Sequence, residues 1–173
     1  MKASDFFLIA LVFMFIFSAC GAGVSKNNQG TASFKNEDYQ SARDHYIEAL
    51  LENPESLTYR YNLAISNMAG EKLSDAQKEL DAIEKSYEGR KITDSDGERL
   101  FKLYFAQAFV HGLVQNFDEA LSYYQRALDI KDSREVRKNI ELLIQLKKKQ
   151  GKDGDPSNEK KKGEIGRASC RER

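Results

Sequence analysis

One pattern, written twice, constrains this chain more than any other feature. Asn36–Ser56 reads NEDYQSARDHYIEALLENPES, and Gln115–Ser133 reads QNFDEALSYYQRALDIKDS. Tyr39, Ala42, Tyr46 and Ala49 of the first copy stand where Phe117, Ala120, Tyr124 and Ala127 stand in the second. Tyr39 and Tyr46 are two helical turns apart, so they share a face with Ala42 and Ala49 between them. Small side chains at that spacing let two helices cross closely, and the aromatics fill the gap against the next helix. A helical unit of this kind cannot bury its apolar face alone. It stacks on copies of itself and presents an extended surface to partners. The pattern therefore points to binding rather than chemistry.

The spacing resembles the tetratricopeptide repeat (TPR), a helix–turn–helix unit of about 34 residues. Gly30, Tyr39, Ala42, Tyr46, Ala49 and Pro54 match the family's small–aromatic–Ala–large–Ala–Pro signature in a first repeat. Ala108, Phe117, Ala120, Tyr124 and Ala127 match it in a third, with Asp132 where Pro is usual. Between them lies a weaker copy built on Ala64, Leu73, Ala76, Leu80 and Ile83. The outer copies are 78 residues apart, two units plus ten extra residues, which fall near Gly89–Asp96. The family's usual Trp is missing. The resemblance implies an all-α fold: an antiparallel helix-pair solenoid of about three units over residues 28–150, closed by a C-terminal capping helix. It implies repeat packing by Gly30, Tyr39, Ala42, Tyr46, Ala49, Ala64, Ala76, Ala108, Phe117, Ala120, Tyr124 and Ala127.

Local signals place the boundaries. Ser74–Gln77 and Ser95–Glu98 read as capping boxes. Asn53-Pro54 ends a helix, and Gly70 and Gly89 follow helical runs as C-terminal caps do. Asn28–Asn36 is short and poor in aliphatics for a first helix. Asp96–Val114 is apolar and aromatic over more than one face, as a helix buried on two sides is. In a TPR stack the first helix of each repeat lines the concave groove. By resemblance, the groove residues are Tyr61, Ile65 and Met68 from repeat two and Lys102, Phe105, Phe109 and Leu113 from repeat three. The competing reading packs these same residues against neighbouring helices or a second copy of the chain. Arg134–Gln150 carries an apolar stripe and a charged outer face, as a solvating cap helix does. Its wording, RKNIELLIQLKKKQ, is similar to the closing helix of TPR proteins that partner von Willebrand A-domain proteins of the Bat (aerotolerance) type.

The ends carry separate signals. Lys2 precedes an apolar run, Phe6–Phe17, that is shorter than the roughly 20 residues a membrane-spanning helix needs and fits a secretory signal over residues 1–19. Ser18-Ala19-Cys20-Gly21 resembles a bacterial lipoprotein box, with Phe17 where Leu is usual. It implies lipidation of Cys20, a membrane-anchored location in a bacterial cell envelope, and a polar tether over Val24–Gly30. Lys147–Gly163 has no aliphatic or aromatic residue and is expected to be a disordered tail beyond the last helix. Glu164–Arg173 (EIGRASCRER) resembles translated read-through of a sequencing adapter, so Cys170 enters no disulfide argument.

Lys and Arg number 27, and so do Asp and Glu. The zero net charge supplies no long-range field for nucleic acid. No nucleotide loop, zinc spacing or nucleophile elbow occurs. His45 and His111 have no acid or Cys partners that would make a metal site, and no catalytic residue or cofactor is expected. The clamp that some TPR domains close on acidic chaperone tails needs Lys and Asn where Asn27 and Thr31 stand, so that role is not carried over. The sequence reads as a non-enzymatic interaction scaffold with a protein or peptide partner. A self-associating, homo-oligomeric structural role is the alternative.

Overall fold

The computed structural model describes residues 21–153. The segment read as a secretory signal, Cys20, the stretch beyond Asp153 read as tail and the adapter-like end lie outside them. Every regular element among the described residues is helical. Helix α1 covers residues 21–35, and is followed by α2 (Tyr39–Glu52), α3 (Leu57–Ala69) and α4 (Leu73–Lys85). A 3₁₀ turn at Asp94–Asp96 then leads into α5 (Gly97–Leu113), α6 (Phe117–Ile130) and α7 (Arg134–Asp153). The pairs α1–α2, α3–α4 and α5–α6 are the three repeats, and α7 closes the stack.

The turn inside each pair has the same construction. Glu37, Glu71 and Gln115 hold φ of 61°, 60° and 61°. The next residue in each case donates its N–H back over five residues: Asp38 to Ser33 O at 3.0 Å, Lys72 to Asn67 O at 2.8 Å and Asn116 to His111 O at 2.8 Å. This is a Schellman closure, in which a left-handed residue turns the chain and satisfies the helix's last carbonyls. Glu71 follows Glu37 by one repeat length, whereas Gln115 follows Glu71 by ten residues more. The ten extra residues therefore lie between the second and third turns. They form the segment after Lys85, the 3₁₀ turn and the front of α5, a helix of 17 residues against 13 in α3.

The small residues of the pattern sit at the crossings. Ala42, Ala49, Ala64, Ala76, Ala108, Ala120 and Ala127 are fully buried, Tyr46, Phe117 and Tyr124 nearly so. Gly30 is buried and Tyr39 half-buried, its ring 5.4 Å from that of Phe34. Ala42, Tyr46 and Leu63 form one cluster at the first junction. Leu80, Ile83, Leu100, Leu103 and Val110 belong to a second between repeats two and three. Phe117, Tyr124, Val136 and Leu143 belong to a third under the closing helix.

Five boundaries differ from the sequence reading. Residues 24–30 are helical, not a tether, because glycine lets α1 lie close to its neighbours. A Cβ on Gly23 would stand 3.2 Å from Glu52 Cβ, and one on Gly30 would stand 2.8 Å from the Tyr46 ring. Helix α4 begins at Leu73 with no side-chain cap, since the Glu71 turn rather than Ser74 sets its start. The box before α5 is Thr93–Asp96, not Ser95–Glu98: the Asp96 carboxylate accepts from Thr93 N–H at 3.0 Å and Thr93 Oγ1 at 2.7 Å. Gly89 (φ +69°) lies in the loop, and Ser86 caps α4. At the far end α7 continues past Gln150, where the closing helix is expected to stop, to Asp153; Lys147 pairs with Asp118 of α6. Ser133 Oγ accepts from Val136 N–H and caps its start.

Candidate functional site

The predicted groove residues do not all face one space. Helices α3 and α5 flank a cavity of about 310 Å³. Tyr61 and Lys102 line it, with Asn62 and Arg99 beside them and Leu57, Ile83 and Leu103 as its apolar wall. Lys102 is more than half exposed and forms only a loose pair with Glu98 at 3.7 Å, and Arg99 reaches Asp96 only at 3.9 Å. The cationic side chains thus remain open to a ligand. Burial pushes the Tyr61 phenol above its ordinary value, which keeps it a neutral donor. Asn62 donates to Asn27 Oδ1 of α1 at 2.8 Å and carries the polar line across to the first repeat.

Further along α5, Phe109 and Leu113 face a second, apolar cleft of about 150 Å³ shared with Leu142 and Leu146 of α7. Phe109 is 44% and Leu113 49% exposed, Leu142 54% and Leu146 42%. Ala108 and Gly112 form its floor; at Gly112 a Cβ would stand 3.3 Å from Leu143. Phe105 takes the opposite role. It packs edge-on against Tyr124 at 5.6 Å within the third cluster, while Ile65 and Met68 pack on the second. These three line neither space.

The sequence reading missed a polar network at the junction of repeats two and three. Glu84 of α4 accepts from Gln107 Nε2 at 2.7 Å and Tyr123 OH at 3.2 Å, and pairs with Arg126 at 2.7 Å. Arg126 donates to Tyr104 OH at 2.7 Å, with its guanidinium 3.9 Å from that ring's centre. Burial opposes ionisation of Glu84, but the bonds from Gln107, Arg126 and Tyr123 outweigh it and hold its carboxyl below the ordinary value. Burial first, and then the Glu84 charge, push Tyr123 up to about 12. His111 is buried and stacked on Tyr123 at 5.4 Å. The available signal was Gln107 and His111, one turn apart in the apolar and aromatic half of α5. Among the described residues no group of three or more His, Cys, Asp or Glu could hold a metal, and no helix is long and apolar enough to cross a membrane.

No family model matches the chain, and no curated protein matches its sequence. The fold does match solved TPR domains. The Arabidopsis OM64 TPR domain aligns at 16% identity and a TM-score of 0.62, covering 73% of this chain and 98% of that one. The first TPR of Spaghetti (RPAP3), bound to the HSP90 peptide SRMEEVD, aligns at 19% and 0.61, covering 73% and 93%. The yeast Sti1 TPR2AB–pHSP90 complex aligns at 14% and 0.67, covering 84% and 56%. The chain therefore has the TPR helix-pair solenoid fold.

Proposed function

We propose that this protein is a non-catalytic interaction module whose concave face takes a peptide segment of a partner protein, tethered to a bacterial membrane through lipidated Cys20. The observation that supports the groove is the division of α5: Lys102 and Arg99 face one cavity, and Phe109 and Leu113 the apolar cleft two turns on. A segment with an acidic residue near one end and an aliphatic side chain further along would match both. The TPR domain of Spaghetti was solved with an acidic peptide, SRMEEVD, which is consistent with that chemistry. The anchor rests on the lipoprotein-like box, and a Bat-type von Willebrand A-domain partner rests on the resemblance of the closing helix. The exposed Phe109–Leu146 cleft also supports the second reading, self-association.

One experiment addresses both parts. Photo-crosslinking residues replace Lys102, Phe109 or, as a convex-face control, Ile47 in cells fed a clickable fatty acid. Adducts to another protein from positions 102 and 109 but not 47, with label lost in Cys20→Ala, are expected. Equal adducts at all three positions sink the groove, adducts to a second copy select self-association, and label retained in Cys20→Ala removes the anchor.

A further inference from the structure

The convex side of the stack carries a second surface, distinct from the proposed groove. Successive second helices leave a depression between them above the intervening first helix. Between α2 and α4 its charge is balanced: Arg43, Lys72 and Lys78 face Asp44, Asp75 and Glu79. Between α4 and α6 the same place in the stack, about 470 Å³, is acidic. Asp81, Glu84 and Glu88 line one wall and Glu119 the other, against Lys85 alone. Glu84 is taken up by Arg126, but Asp81, Glu88 and Glu119 form no ion pair among the described residues. His111 lines this depression too. It is 7% exposed, and its Nδ1 has no hydrogen-bond partner. A buried polar atom without a partner is unfavourable, so this nitrogen leaves a polar position beside the carboxylates to be satisfied.

We infer that this depression docks a lysine- or arginine-bearing polypeptide segment of a partner protein. Like-charged carboxylates on two walls repel one another and attract a compact cation. A row of them along α4 and the turn after it favours a chain that carries several cations over a single small one. The residues do not form a metal site, so the fitting donor is an ammonium or guanidinium. The balanced depression one repeat earlier shows that acidity is not a general property of this face.

The test is fluorescence anisotropy of the full chain with a labelled lysine–serine peptide, at low and high salt. Replacing Asp81, Glu88 and Glu119 by their amides should weaken binding about tenfold, as three partly exposed ion pairs would. The same net change made at Glu52, Glu55 and Glu141 should leave binding within about twofold at matched salt. The His111 ring resonances should shift on titration. Equal weakening by both triple variants would overturn the site in favour of diffuse charge, and so would an absence of binding or of any His111 shift. Binding seen only after the chain is cut behind Asp153 would overturn the partner in favour of the chain's own remaining residues. A groove that fails its cross-linking test leaves this result unaffected.

Discussion

Glu84 shows how one carboxylate ties three helices together. It sits near the end of α4 and collects a charge and two neutral donors from α5 and α6. A carboxyl held below its ordinary value in the fold binds protons more weakly there than in the unfolded chain. Its contribution is therefore present at neutral pH and is lost as pH falls through the carboxylate range. Tyr123 has the opposite sign. Its phenol ionises at about 10 when unfolded and about 12 when folded, so its contribution holds below pH 10 and is lost as pH rises between those values. Urea unfolding across pH should show both losses. Glu84→Gln should flatten the acid limb and bring the Tyr123 titration, followed by ultraviolet absorbance, closer to 10. An unchanged acid limb together with an unmoved tyrosine would mean that the network is not coupled in solution.

The element that repeats most faithfully is the turn within each pair. It uses Glu37, Glu71 and Gln115 in the left-handed region, where a Cβ costs about 1 kcal/mol or more and glycine costs little. Glu71→Gly and Gln115→Gly should therefore stabilise the chain by up to about 1 kcal/mol, reduced by the extra freedom glycine gives the unfolded chain. Chemical denaturation would check this, and a loss of stability in both variants would show that the side chains at these turns matter more than the backbone. These turns were not legible in the sequence, because the residues that hold them are ordinary glutamate and glutamine. The local pattern points instead to capping boxes at Ser74 and Ser95. Ser74 already lies inside a helix whose start the turn dictates, and Ser95 lies one residue from the Asp96 that takes the capping role.

At the scale of the whole molecule, stability is a chain of neighbour contacts, since each repeat packs only on the next. Ala120 is subject to this logic, being completely buried where α6 packs on α5. Ala120→Leu should overpack it at about 1–3 kcal/mol. Hydrogen exchange should then speed first in α6 and α7, with α2 and α3 protected longer. Uniform loss along the chain would mean that the stack unfolds as one body. The acidic depression between α4 and α6 also belongs to this scale, because its walls come from two repeats, Asp81 and Glu88 from one and Glu119 from the next.

By itself the sequence determined the all-helical solenoid, because small and aromatic residues at helical spacing have one economical arrangement. It also located the ten extra residues and drew attention to α5. Only the tertiary structure decided which way α5's side chains face. Phe105 went into the core and Phe109 to the cleft, although both are phenylalanine one turn apart. The separation depends on what α6 and α7 place beside each, which periodicity along one helix does not record. Helix α1 was hidden for a related reason. Its packing relies on glycines that admit Tyr46 and Tyr59 closely rather than on side chains that announce a core. The polar network around Glu84 likewise joins residues up to 42 positions apart, a proximity created by stacking and absent from any local pattern.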